Sequence, residues 1–152
     1  MNIAIPINQF KINNVFYFER IKNTVMNDSN FIRLIYSNSL FSLNGVYMLI
    51  SFEIEKIEKY FNKYKCIFNK QNNISVISNL IKLEHYILQK FKITNKEPRY
   101  TMKEQLLMGF IKIFSEHKNI QNINQFILKI SGIWETDIDY GLTFKFIEVI
   151  HP

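Results

Sequence analysis

Few side chains in this chain sit where their types and spacing would do covalent chemistry. The three histidines, His85, His117 and His151, have no second His or Cys at metal-ligand spacing and read as surface residues. Cys66 has no His nearby in sequence to activate it, so it reads as a buried structural thiol in a strand. Glu135, Asp137 and Asp139 recur at every second position, which could hold a divalent cation. The rest of a calcium-loop pattern is missing, and a solvated turn accounts for them better. The four glycines, at 45, 109, 132 and 141, are isolated, so there is no phosphate-cradling loop. No Gly-flanked Ser or Ser-His-Asp order is present. These readings predict a protein that is not an enzyme, with no cofactor and no metal. An enzyme with an active site dispersed along the chain is the weakest of the readings weighed.

What remains is a chemistry of binding. Lys56, Lys59, Tyr60, Lys63, Tyr64, Lys65 and Lys70 are accompanied by a single acid, Glu58. Lys90, Lys92, Lys96, Arg99, Tyr100 and Lys103 are accompanied by Glu97 alone. Ammonium groups neutralise phosphates and aromatic faces stack on bases, a combination that binds single strands with little regard to sequence. The expected nucleic-acid-binding residues are Lys56, Lys59, Tyr60, Lys63, Tyr64, Lys65, Arg99, Tyr100 and Lys103. The mechanism requires that they converge on one groove. The alternative is a solvated Lys-rich face whose rings belong to the core. Trp134, the only Trp, is expected to pack in the core.

The net charge of +6 agrees with a polyanionic partner. Its weight is reduced by composition: all but three of the 19 basic residues are Lys, and Lys, Ile, Asn, Phe and Tyr share A/T-rich codons.

The elements that must position these residues read as β-rich. The most informative stretch is the C-terminal one, where residues 126–134 and 142–150 are β-rich runs joined by an acidic, Gly-ended connection, a β-hairpin. Lys129 and Lys145 fall in the middle of its two strands. Lys129 shares a face with Ile127, Ser131 and Ile133, and Lys145 with Thr143, Ile147 and Val149. If the strands pair, both lysines project from one open sheet face. Strands are also predicted over residues 15–25, 31–36, 46–55, 63–69 and 110–114. Residues 57–68 also fit a short helix. Asn44-Gly45 marks a tight turn. Ile77, Leu80, Ile81, Glu84, Ile87, Leu88 and Phe91 follow helical spacing, which predicts the main helix over residues 74–91. Thr101 and Glu104 match a capping box for a short helix ending at Gly109. Residues 115–125 are polar and read as a loop.

At 152 residues and 47% hydrophobic content, one domain spanning 1–152 with a true core is expected. Residues 1–7 lack the charged and apolar regions of a secretory signal, and no apolar run approaches membrane length. The fold class expected is α+β and β-rich: an antiparallel curled sheet or a small oligonucleotide-binding-like barrel, with one main helix near 74–91.

Four segments also look familiar as a group. They are residues 31–37 with 43–47, residues 60–66, residues 100–114, and residues 128–135 with 140–146. Together they resemble small proteins encoded by large DNA viruses and related self-replicating DNA elements. The resemblance implies association with DNA replication or single-stranded DNA, and with it an intracellular setting, host cytoplasm or nucleus. The expected partner is therefore single-stranded nucleic acid, DNA before RNA, with no membrane and with a homo-oligomer left open. The competing reading is a viral structural or assembly protein acting through protein–protein contacts.

Overall fold

A computed structural model describes residues 4–25, 28–114 and 123–149. The strands are β1 (Ile5–Pro6), β2 (Val15–Lys22), β3 (Asn30–Ser37), β4 (Ser42–Leu43), β5 (Val46–Ser51), β6 (Ile54–Tyr60), β7 (Lys63–Phe68), β8 (Glu97–Arg99), β9 (Phe110–Phe114), β10 (Gln125–Glu135) and β11 (Asp139–Glu148). Helix α1 (Ile74–Lys90) follows β7, and α2 (Thr101–Leu107) lies between β8 and β9.

The expected class holds: this is an α+β fold built on an open, curled sheet. Pairing runs β1-β5-β10-β11-β9-β7-β6 without returning on itself, and β2, β3 and β4 branch from β10. The expectation of antiparallel pairing needs one amendment. β1 with β5, β8 with β11 and β9 with β11 are parallel, and in each case other strands of the sheet intervene in the chain before the pair forms. The expected strand over residues 46–55 is two strands. It breaks at Phe52, whose ring turns inward to stack on Phe68 at 4.9 Å. Glu53 follows, and its backbone N–H and C=O are both bonded by the buried Asn73 amide at the start of α1. Residues 57–68 form the β6–β7 hairpin, not a helix. The expected loop at 115–125 lies largely outside the described residues, and Gln125 already belongs to β10.

The hairpin β10–β11 is the spine. The N-terminal half of β10 pairs with β5 and its C-terminal half with β3. A bulge at Ser131 separates the halves, where Ile130 faces Phe144 and Gly132 faces Thr143. The extra residue shifts the alternation by one. Phe126, Leu128 and Ile130 point inward before it and Ile133 after it, all buried. Ile133 therefore does not share a face with Lys129, as unbroken alternation would predict.

The inward residues and the apolar stripes of both helices form one core. Ile77, Leu80, Leu83, Ile87 and Leu88 of α1 are buried at helical spacing. Glu84 lies in the same stripe and is completely buried. Its two carboxylate oxygens accept the backbone N–H groups of Met102 and Lys103, each at 2.9 Å. These are orphan donors of the first turn of α2. The expected Thr101–Glu104 capping box does not form: Tyr100 is the N-cap and makes no side-chain cap. Gly109, at φ +87°, ends the helix as expected.

Candidate nucleic-acid interface

Both helices sit on the inner side of the sheet, so the side chains that alternate outward are uncovered. Cross-strand register decides which of them meet. Lys129 on β10 stands directly opposite Lys145 on β11 and, on its other side, Tyr47 on β5. Lys65 on β7 stands opposite Lys112 on β9. The parallel bridge of Phe146 with Ile113 sets Lys145 beside Lys112. The result is one lateral row, Tyr47–Lys129–Lys145–Lys112–Lys65, that ends on Glu58 of β6. At a strand spacing of about 4.8 Å, its four lysines span roughly 14 Å. Two like-charge pairs thus face each other across neighbouring strands, an arrangement that destabilises a sheet.

Aromatic rings partner these cations on the same face. Lys65 Nζ is 4.4 Å from the Phe110 ring centre and Lys63 Nζ is 5.3 Å from that of Phe114. Lys129 Nζ is 5.5 Å from the Tyr47 ring. Such contacts are worth about 0.5–1 kcal/mol each at exposed sites and hold the ammonium groups against the sheet. Phe114 remains 58% exposed. At the β6–β7 hairpin tip, Phe61 is 93% exposed at φ +57°, a conformation costly for a bulky residue.

The nine residues expected to bind divide. Lys65 is in the row, and Lys63 lies on the same face opposite Phe114. Lys56 lies on the same face, ion-paired to Glu58 at 3.0 Å. Lys59 alternates to the other face, 5.7 Å from the Tyr64 ring. Tyr64 itself is a correction: it is 3% exposed and part of the core, because strand alternation turns it away from Lys63 and Lys65. The Tyr60 side chain lies outside the described ones.

The second sequence cluster does not join the lysine row, although Arg99 is in register with Gly141 at the far end of the face. Arg99 pairs with Asp139 at 3.1 Å. Tyr100 stacks on His85, with ring centres 5.9 Å apart, in a small pocket of about 200 Å³ between α1 and α2 that Lys82, Tyr86 and Lys103 also line. Burial, then the charges of Tyr140 and Glu84, raises the Tyr100 phenol pKa. Lys90 donates to the carbonyls of Ile12 and Val15 at 2.9 and 2.8 Å. Lys96 is bound to Glu135 and to the Thr136 carbonyl. Sequence reasoning missed Lys112, Phe110, Phe114 and Tyr47 as members of the face. It did place Lys129 and Lys145 together on an open one.

The acidic triplet at the hairpin also separates. Glu135 is not solvated. It is 3% exposed and bound by Arg20 at 2.8 Å, Lys96 at 3.2 Å and Asn30 at 3.3 Å. Burial pulls its pKa upward, but these hydrogen bonds outweigh burial and hold it below the ordinary carboxylate value. Asp139 is held low by the Thr136 hydroxyl and by Arg99. Among the described residues no cluster of His, Cys, Asp or Glu could hold a metal ion. Cys66 is buried as expected. Burial and the nearby Glu148 push its thiol up to about 12. His85 is exposed, whereas His117 and His151 lie outside the described residues. No helix among the described residues is long and apolar enough to cross a membrane.

No family model, curated protein or solved structure matches this chain.

Proposed function

We propose that the protein binds single-stranded nucleic acid, DNA in particular, without catalysis and with little regard to sequence, in the replication of a viral or related self-replicating DNA element inside the host cell. The observation that carries this reading is the row of four lysines on the uncovered face, with Lys129 opposite Lys145 and Lys65 opposite Lys112. Like charges held in register cost stability, and a polyanion lying across the row relieves that cost. The rings of Tyr47, Phe110 and Phe114 lie beside the cations and offer stacking surfaces.

The test is fluorescence anisotropy of a labelled oligothymidylate at 50 and 200 mM salt. Four phosphate contacts at a slope of about −0.7 each predict roughly a 50-fold loss of affinity over that range. Absence of binding at low salt, or binding indifferent to salt, rejects the proposal.

One feature favours the alternative, an assembly protein working through protein contacts. Strand β2 is an edge that exposes Phe16 (52%), Phe18 (54%) and Ile21 (54%). Light scattering that shows a defined oligomer, together with no DNA affinity, selects it.

A further inference from the structure

We infer that the far end of the same sheet face carries a nucleobase subsite, a groove between Trp134 and Phe31; this rests on the nucleic-acid reading above and extends it. The Ser131 bulge puts Trp134 on the outward face. Its registered neighbours are Phe31 on β3 and Gly141 on β11. A groove of about 420 Å³ opens there, lined by Ile21, Lys22, Phe31, Arg33, Trp134 and Thr143 among others. Trp134 is half-buried here, not in the core where the sequence suggested.

The glycines explain how two large rings lie against the sheet. A Cβ on Gly141 would stand 2.7 Å from Cζ2 of Trp134, and one on Gly132 would stand 2.5 Å from Cζ of Phe31 and 2.3 Å from the Ile32 carbonyl oxygen. Each ring lies against its glycine, so a side chain at Gly141 would displace the Trp134 wall, and one at Gly132 would collide with both the Phe31 wall and the β3 backbone. The groove's lining combines the apolar Ile21, Phe31 and Trp134 with the cations Lys22 and Arg33 and with Thr24 and Thr143. Arg33 spends one donor on Asn44 at 3.0 Å, and a guanidinium has several more. No described lining residue is acidic. A base has the matching chemistry: apolar faces, polar edges and a phosphate attached.

Continuity with the lysine row favours a base over an apolar peptide. Trp134 and Lys129 are on the same strand and the same face. Five residues of strand separate them, about 17 Å, so one short oligonucleotide can reach both. Stacking of a base on an aromatic side chain is worth about 1–3 kcal/mol, roughly 5- to 150-fold in affinity.

Because Trp134 is the only Trp in the chain, its emission reports on this groove alone. The protein is titrated with an oligothymidylate, and with an abasic oligonucleotide of equal length, while Trp emission and the anisotropy of labelled strands are both followed. The expected result is quenching by oligothymidylate that saturates together with the anisotropy change, and weaker binding of the abasic strand by at least 10-fold. Phe31→Ala should reduce that discrimination several-fold. Should it impair folding, Ile21→Asp, at a half-exposed position, should lower oligothymidylate affinity about 10-fold more than abasic affinity. Salt-dependent anisotropy binding with unchanged Trp emission overturns the base subsite and leaves the lysine-row reading standing. Quenching without salt dependence keeps the groove and rejects the row, and failure of both signals rejects both. A concentration-dependent Trp shift without nucleic acid would mean that a second copy fills the groove, which also overturns the subsite.

Discussion

The outer sheet face and the α1–α2 junction are made of similar residues, lysines and aromatic rings, yet they are built on different principles. On the sheet, position follows from parity. Apart from the bulge at Ser131, every second residue of β7, β9, β10 and β11 projects outward, and register brings Lys65, Lys112, Lys145 and Lys129 into line. At the junction, position hangs on one buried carboxylate. Glu84 ties the start of α2 to α1, and Tyr100, Lys103 and His85 are placed as a consequence. The sheet tolerates repelling charges because backbone pairing holds them in place. The junction has no such frame and is correspondingly sensitive to one residue.

The largest effect separating the two regions is expected in binding. Replacing Lys65, Lys112, Lys129 and Lys145 together by Ala should lower oligothymidylate affinity at least 100-fold at low salt and flatten the salt slope by about 2.8. Replacing Lys82 and Lys103 should change affinity less than about 3-fold. Anisotropy measures both, and equal losses would erase the distinction.

Next in size is Glu84→Ala, which strands two helix donors and should cost about 2 kcal/mol in urea denaturation. Faster amide exchange should be confined to α2, with DNA affinity preserved in the folded fraction.

A smaller but more discriminating change is Lys129→Glu. It turns a repelling cross-strand pair into an attracting one, so stability should rise by about 0.5 kcal/mol while DNA affinity falls about 10-fold. If both decline together, the lysines are merely structural.

The smallest effect concerns pH. Burial raises the Glu84 pKa in spite of its two backbone hydrogen bonds, so the folded state holds a proton that the unfolded chain releases. Its contribution is full below the ordinary value of 4.5 and is lost as pH rises through the raised one. Glu135 has the opposite sign: its contribution is full above 4.5 and is lost as pH falls through the lowered value. Urea midpoints should therefore show Glu84→Gln gaining on the wild type as pH rises above 4.5, and Glu135→Gln gaining on it as pH falls below 4.5. Parallel curves for either variant would contradict the sign assigned to that residue.

Much of this was legible beforehand because local patterns are strong. The C-terminal hairpin, the strands at 31–36, 63–69 and 110–114, and the helix near 74–91 are each announced by periodicity and by turn residues such as Asn44-Gly45. What local patterns could not supply was the outcome of long-range pairing. Tyr64 and Lys65 are neighbours in sequence, but alternation sends one into the core and leaves the other on the surface. Glu135 reads as a turn residue until Arg20, over a hundred positions earlier, comes to meet it. Lys112 sits in an unremarkable apolar strand until β9 lies beside both β7 and β11.

Residue types and their spacing sufficed to determine the β-rich class, the main helix, the inert thiol and the supply of cations and rings. Only the folded chain decided which cations stand together. That depends on strand register and on one bulge at Ser131, both set by packing between segments far apart in sequence, where no nearest-neighbour preference reaches.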